Sequence, residues 1–147
     1  MDKIEDDNKI IDQWVQNGAR VKAWFIMRRD LPMTTGKFGV QIGHGTDYIH
    51  MLSADNQYYS SWMSPTIGNR RKIVLGAKTM PDIHRIVADC QAFGMTAVII
   101  GDAGLTEFGG PTETGAVILP HLDSLIPSSL NRAQTWKDWW LKPDAEG

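Results

Sequence analysis

Four apolar segments, each four to seven residues long, recur along the chain and are separated by polar or amphipathic stretches. Their continuous hydrophobicity is typical of strands that are buried on both faces. We expect these strands at residues 21–27, 71–75, 96–101 and 116–119. Because helical patterns lie between them, we predict an α/β fold, a compact three-layer sandwich in which helices cover both faces of a mixed four-stranded sheet.

Three helical patterns accompany the strands. The clearest follows Thr79, where Thr-Met-Pro-Asp resembles a capping box with proline in the first turn and apolar residues recur at helical spacing until Gly94. Residues 3–17 predict an amphipathic N-terminal helix, and the Trp-rich residues 128–141 predict a C-terminal helix whose indoles pack back on the domain. With 147 residues, the whole chain 1–147 fits a single domain.

The segment GKFGVQIGHGT, residues 36–46, contains several of the candidate functional residues. If it is helical, one stripe about 60° wide contains Lys37, Gln41, His44 and Tyr48. Its glycines oppose a helix, since each costs roughly 1 kcal/mol relative to alanine. We therefore expect another element or a ligand to approach the backbone closely. Lys37 near the helix start is unfavourable beside the positive end of the dipole, which favours an anion as its partner.

A second candidate region is the polar, glycine-rich loop DAGLTEFGGPTET, residues 102–114, between the last two predicted strands. Loops beyond strand ends are where α/β folds bind ligands. Asp102 is either a turn-forming carboxylate or a group that orients Lys37 or acts as a base. Thr106 and Thr114 either cap backbone groups or donate hydrogen bonds to a substrate oxygen.

The remaining candidates have structural interpretations as well as functional ones. Lys37 is a solvated surface lysine or an anion-binding group, and His44 is a core histidine or part of the Lys37 stripe. Tyr48 and Trp62 either pack in the core or stack on a base.

Composition narrows the functional classes. The net charge of −2 counts against tight binding of long nucleic acids, which relies on a basic surface. Cys90 is the only cysteine and no Cys/His pair has zinc-site spacing, so we expect a reduced, cytoplasmic, metal-free protein without a cofactor. The acidic start lacks the apolar core of a signal peptide, and no run of about 18 apolar residues occurs, which predicts a soluble protein without a membrane partner.

Two blocks together resemble the signatures of the archaeal and eukaryotic type of peptidyl-tRNA hydrolase: GKFGVQIGH, residues 36–44, and DAGLT, residues 102–106, followed by Thr114. The segments RRDLPM, RKIVL, VIIGDAG and VILP also fall in the family's order, so the similarity covers roughly residues 21–127. The resemblance implies a compact α/β sandwich around a mixed four-stranded sheet. It also implies a metal-independent hydrolase that cleaves the ester between a peptide and the terminal ribose of tRNA.

The resemblance and the helical stripe together assign the site. The catalytic candidates are Lys37, His44, Asp102, Thr106 and Thr114, and the substrate-binding candidates are Gln41, Tyr48, Gly36 and Gly104. In this reaction, Lys37 and the two threonine hydroxyls would stabilise the developing oxyanion while Asp102 or His44 helps a water molecule to attack. The implied partner is the tRNA acceptor end. Family members often form dimers, so a homodimer with contacts through the aromatic tail is a further expectation.

The chain departs from the family pattern where basic residues are usual, because it has Gly101 and Leu105, and Gly110-Pro111 reverses the usual order. A second hypothesis is therefore a small nucleotide ligand such as a cyclic dinucleotide, as for a phage-type antagonist of nucleotide immune signals. A ribose hydroxyl deprotonated by His44 or Asp102 would attack the adjacent phosphate. A third hypothesis is a module of the same shape that sequesters the nucleotide without cleaving it.

Overall fold

The structure, a computed structural model, describes the backbone of residues 3–104 and 108–143 and the side chains from residue 9 onwards. Its strands are β1 (Val21–Arg28), β2 (Lys72–Ala77), β3 (Ala97–Asp102), β4 (Thr112–Leu122) and β5 (Gln134–Thr135). Its helices are α1 (Lys3–Gln16), α2 (Thr35–Met51), α3 (Tyr59–Met63), α4 (Met80–Ala92) and α5 (Ser128–Asn131). None of the helices within these ranges is both long and apolar enough to cross a membrane.

The strands form one mixed sheet in the order β3-β4-β1-β2-β5, in which β1 and β2 are parallel and the other neighbours are antiparallel. The predicted α/β architecture is confirmed, but the predicted count of four strands is wrong. The fifth strand, β5, pairs with Leu75 and Gly76 at the edge of β2. It lies where we expect a single helix over residues 128–141, and α5, β5 and a 3-10 turn at Asp138–Trp140 are found there instead.

Two hydrophobic cores lie on opposite faces of the sheet because successive strand residues point to opposite sides. α4 and α5 cover one face, where Ile26 of β1 belongs to the same core as Ile83 of α4. α1, α2 and α3 cover the other face, where Phe25 of β1 belongs to the same core as Ile11 of α1 and Ile49 of α2. The prediction of helices on both faces is therefore confirmed.

The glycines of α2 fall into two groups. A Cβ atom at Gly45 would lie 2.6 Å from the ring of Phe25, so this glycine lets the helix pack closely on β1. A Cβ atom at Gly36, Gly39 or Gly43 would meet nothing within 4 Å. The expected close approach of another element thus holds for Gly45, whereas the other three leave bare backbone on the exposed face of the helix.

The C-terminal tail, residues 134–142, packs on the face of the sheet that α2 covers. Trp136 lies against Phe38 of α2 with ring centroids 4.6 Å apart, and it meets Trp140 edge to face at 5.1 Å. Trp140 covers Gly76 of β2, where even a Cβ atom would collide with the indole. These two indoles pack back on the domain as predicted, but Trp139 is 76% exposed.

Candidate active site

A buried cluster of polar side chains lies between the first turns of α2 and the carboxyl end of β3. The Lys37 ammonium is 2.7 Å from Asp102 Oδ1, and the side-chain amide of Gln41 donates a hydrogen bond to the same oxygen at 2.9 Å. The other oxygen, Asp102 Oδ2, accepts a hydrogen bond from the backbone N–H of Gly104 at 2.7 Å. The side chains of Lys37 and Asp102 are only 11% and 6% exposed, so the ion pair is largely removed from water.

These contacts hold the Asp102 carboxylate in its charged form. The hydrogen bond from Lys37 lowers the pKa of Asp102 below its ordinary value, and burial opposes this shift. The Gly104 N–H and the Gln41 amide lower the pKa further, because hydrogen bonds to the charged form favour it.

Strand alternation brings Asp102 to the α2 side of the sheet. Ile100 and Val98, two and four residues earlier in β3, belong to or pack against the core on this side. Asp102 is the last residue of β3 and lies two residues after Ile100, so its side chain points to the same face of the sheet. The strand therefore sets the face on which the carboxylate lies, and the Gly104 N–H of the following loop bonds one of its oxygens.

Thr114 reaches the cluster because of a β-bulge. The pairing of β3 with β4 shifts register between Ile100 and Gly101, which leaves Thr114 as an extra residue in β4. Simple alternation would put Thr114 on the same face as Ala116, which belongs to the core under α4. The bulge turns it toward α2 instead, where its hydroxyl donates to Gln41 Oε1 at 2.8 Å.

Lys37 lies in the first turn of α2, after Thr34, whose side chain accepts a hydrogen bond from the Lys37 backbone N–H at 3.4 Å. A cation in this turn opposes the helix dipole, and the turn contains no acidic residue to offset it. Asp102 supplies the anion, and the Phe108 ring lies 5.5 Å from Lys37 Nζ. The ammonium therefore contacts both a carboxylate and an aromatic ring.

Not all of the predicted site residues meet in this cluster. Those that do are Lys37, Gln41, Asp102, Gly104 and Thr114. His44 is exposed further along α2, and its side chain makes no hydrogen bond to another residue in the part of the chain that the structure describes. Tyr48 is half-buried and packs against the core under α2, and Gly36 is exposed. Thr106 lies outside the described residues.

Of the two interpretations given for the aromatic residues, core packing is the one observed for Trp62. Trp62 is fully buried and donates its indole N–H to the Arg71 carbonyl at 2.8 Å, so it packs in the core and is not placed to stack on a base. The contact of Phe108 with Lys37 has no local sequence signal, because Phe108 lies in a glycine-rich loop. The contact between Trp136 and α2 is also not predicted, because the spacing of the tryptophans indicates a helix.

The arrangement can stabilise negative charge on a bound oxygen through the Lys37 ammonium. Gln41 and Thr114 are fully buried, and the amide of Gln41 links the Thr114 hydroxyl to Asp102. In this geometry the Thr114 hydroxyl donates to Gln41 at 2.8 Å and to the Ile100 carbonyl at 3.3 Å, so of its two expected roles the bond to protein groups is the one observed. Among residues 3–104 and 108–143, no three His, Cys, Asp or Glu side chains are grouped as a metal site requires.

A separate groove of about 460 Å³ lies at the other end of the sheet, beside the start of β3 and the end of β4. It contains Tyr58 and His121, whose rings meet edge to face at 4.8 Å, and burial lowers the pKa of His121. No lysine or arginine among the described residues lines this groove. The buried charges of Lys37 and Asp102 therefore make the carboxyl end of β3 the better candidate for chemistry.

Comparisons with known proteins agree with the two sequence blocks that meet in the cluster. A sequence model of the family Peptidyl-tRNA hydrolase PTH2 matches residues 21–134. A peptidyl-tRNA hydrolase of Thermococcus onnurineus is 27% identical over 109 residues, which cover 73% of this chain and 90% of the relative. A peptidyl-tRNA hydrolase of Pyrobaculum aerophilum is 25% identical over 118 residues, which cover 80% of this chain and 98% of the relative. Since the family match spans most of the sequence, including both halves of the polar cluster, the chain belongs to the Peptidyl-tRNA hydrolase PTH2 family.

Proposed function

We propose that this protein hydrolyses peptidyl-tRNA by cleaving the ester between the peptide and the terminal ribose. Family membership supports the reaction class, and the buried ion pair of Lys37 and Asp102 is the observation that carries the proposal. Burying two charges costs desolvation free energy, so a pair this poorly exposed is weak as a stabilising device. A buried carboxylate whose pKa is lowered by a specific charged partner is a candidate for function.

Lys37 is the group that we assign to charge stabilisation. During ester hydrolysis a water molecule adds to the carbonyl carbon, and negative charge develops on the carbonyl oxygen before the ribose oxygen leaves. The ammonium has three N–H donors, so it can bond this oxygen while it stays paired with Asp102. In a site with little water, this charge interaction is much stronger than it would be in bulk solvent.

Asp102 is better suited to holding Lys37 than to removing a proton. The Lys37 hydrogen bond keeps the pKa of Asp102 below its ordinary value, whereas a general base is most effective when its pKa is near the working pH. The Gln41 amide donates a hydrogen bond to the carboxylate, and the Thr114 hydroxyl in turn donates to Gln41 and holds it in place. Activation of the attacking water by Asp102 or by His44 stays a hypothesis.

Steady-state hydrolysis of a peptidyl-tRNA mimic, with no metal added, tests the proposal. Lys37→Met removes the ammonium and keeps an unbranched side chain, and we expect kcat/KM to fall by about 10²–10³-fold, as for the loss of an oxyanion-stabilising donor. Lys22→Met is the matched control because Lys22 also forms an ion pair, 3.2 Å from Asp123, away from the site. If both folded variants retain wild-type turnover, the proposed role of Lys37 is wrong.

No observation above favours a cyclic dinucleotide as substrate, or sequestration without cleavage. A panel of cyclic dinucleotides in the same assay is the appropriate comparison, because cleavage of one of them in place of the ester would replace the proposal. A homodimer and a cytoplasmic location also stay predictions. Sedimentation analysis of the purified chain measures the first, and fractionation of the source cells measures the second.

A further inference from the structure

Most of the C-terminal tail lies beyond the part of the chain that the family model matches, and it packs beside the candidate active site. The family match ends at residue 134, where β5 begins. Trp136 contacts Phe38, the residue after Lys37 in α2, and the Lys142 backbone N–H donates to the Met33 carbonyl at 2.9 Å in the segment before α2. The tail is thus anchored on the first turn of α2 and on the segment that precedes it.

Trp139 is presented to solvent by this anchored segment. Its neighbour Trp140 is packed on β2, and the 3-10 turn is closed by hydrogen bonds from Trp140 N–H to the Lys137 carbonyl at 3.0 Å and from Leu141 N–H to the Asp138 carbonyl at 3.1 Å. Trp139 is nevertheless 76% exposed, more than any other large hydrophobic residue in the described part of the chain. The backbone holding this exposed indole is therefore fixed by its neighbours.

Positive charge accompanies the exposed indole. The guanidinium of Arg29 lies 4.6 Å from the Trp140 ring and donates to the Gln134 side chain at 3.3 Å, so its described partners are uncharged. Lys137 precedes the turn, and Asp138 within the turn offsets one of these two charges. Aromatic rings beside basic side chains are typical of surfaces that bind single-stranded nucleic acid.

The sheet order places the tail and the ion pair on opposite sides of the first turn of α2. Asp102 belongs to β3 at one edge of the sheet, and the tail begins with β5 at the other edge. Gly36 and Gly39 on the exposed face of this turn leave open space for a strand to pass over the helix. A single-stranded end of several nucleotides could therefore contact both regions at once.

We infer that Trp139 stacks on an unpaired base of the RNA whose terminal ester is bound at Lys37, with Arg29 and Lys137 near its phosphates. The tail then supplies nucleic-acid contacts away from the carboxyl end of β3, in a chain whose net charge is −2. The inference rests on the proposed function, because it concerns the acceptor end of the same substrate. It makes Trp139 a substrate-binding residue and not a catalytic one.

Two measurements on the full chain test this inference. The first is the KM and kcat of Trp139→Ala on a peptidyl-tRNA mimic, and the second is its binding to a labelled single-stranded tetraribonucleotide without an ester, followed by fluorescence anisotropy. Stacking on one base is worth about a 5- to 150-fold change in affinity. We expect Trp139→Ala to raise KM and the tetranucleotide Kd by about tenfold at unchanged kcat, and Trp139→Phe to retain most of the binding.

Trp14→Ala is the matched control, because Trp14 is 44% exposed on α1, which also lies outside the family match. Unchanged tetranucleotide binding by Trp139→Ala, or an equal loss in Trp14→Ala, would overturn the inference. So would a Trp139→Ala variant that loses self-association in sedimentation but keeps its RNA affinity, since the indole then contacts a second copy of the chain. If the wild type binds the tetranucleotide through Trp139 but cleaves no ester, the proposed function fails and the stacking role stands.

Discussion

The helices α2 and α4 pack on opposite faces of one sheet, but their sequences follow different rules. α4 has Thr79 as N-cap, proline in the first turn, Asp82 near the positive end of its dipole and Gly94 after its end at φ +79°. α2 has a lysine in its first turn and glycines at exposed positions where nothing requires them. It also buries Gln41 completely.

This difference indicates that α4 mainly stabilises the fold, whereas α2 supplies side chains to the candidate active site. In α4 the capping, the dipole and the apolar spacing all favour the same structure, which is the consistency expected of a sequence that specifies one fold. In α2 the same rules are broken at Lys37, at Gln41 and at the exposed glycines. Violations of local rules are expected at functional sites, and here they surround the Lys37 and Asp102 pair.

The largest effect should come from the core of α4. Ile83 is fully buried, so Ile83→Ala leaves a cavity, and we expect it to lower the free energy of unfolding by about 2–5 kcal/mol. Urea denaturation measures this loss. The folded fraction should keep its kcat, because the side chain lies on the opposite face from the ion pair. A large loss of kcat in fully folded Ile83→Ala would show that the two faces are not independent.

A smaller loss is expected where α2 meets the sheet. The new Cβ in Gly45→Ala would lie 2.6 Å from the Phe25 ring and 2.9 Å from Ile100 Cδ1. Overpacking of this kind costs about 1–3 kcal/mol and should exceed the gain of roughly 1 kcal/mol in helix propensity. Thermal unfolding followed by circular dichroism measures the net change. A more stable Gly45→Ala variant would mean that α2 does not pack on β1 this closely.

On the exposed face of α2, replacing glycine with alanine should raise the free energy of unfolding instead of lowering it. A Cβ at Gly43 meets nothing within 4 Å, so Gly43→Ala should stabilise the protein by about 0.5–1 kcal/mol. Gly94→Ala provides the contrast at the end of α4, because φ +79° makes alanine unfavourable there by about 1–2 kcal/mol. If Gly43→Ala raises stability and also raises KM, the bare backbone serves the substrate. If stability falls, the glycine has a structural role that the packing does not explain.

The smallest effect should be a dependence of stability on acid. The pKa of Asp102 is lower in the folded protein than its ordinary value of 3.8, so the unfolded chain takes up this proton first as the pH falls. The stabilisation is present above pH 3.8 and is lost as the pH falls through the folded pKa. In Lys37→Met this part of the acid dependence should shrink, because the first cause of the shift is gone. Equal acid dependence of the two proteins in urea titrations would argue against the ion pair.

Part of the site can be predicted from the sequence because it follows strand periodicity. Asp102 ends an apolar strand and lies two residues after Ile100, so its direction follows from alternation once the face of the strand is known. Lys37 and Gln41 are four residues apart on a helix, which puts them on the same side. The contact between the helix and the strand end then requires only the α/β architecture.

Thr114 shows where prediction by periodicity ends. Its residue type and its family block identify it as a candidate, but a one-residue shift in pairing decides which face of the sheet its side chain occupies. Neighbouring residues in the sequence give no sign of that shift. The shift therefore decides the partner of its hydroxyl, which is Gln41.

The tail could not be predicted for a different reason. The tryptophans at 136, 139 and 140 have spacing that suits one face of a helix, yet their partners are Phe38 and Gly76, which are distant in sequence. The indole of Trp140 fits against β2 because residue 76 has no side chain. Such a contact depends on the shape of an already folded surface, which local spacing does not contain.

The bulge at Thr114 has a consequence for insertions and deletions during evolution. Asp102 and Thr114 are both held by paired strands, and the Gly104 N–H also bonds Asp102, so we expect residues to be gained or lost after Gly104 without moving either side chain. A deletion of one residue inside the bulge would instead restore regular pairing and turn the hydroxyl away from Gln41. We therefore expect homologues to vary in length between these strands and to keep a constant number of residues from position 112 to position 116.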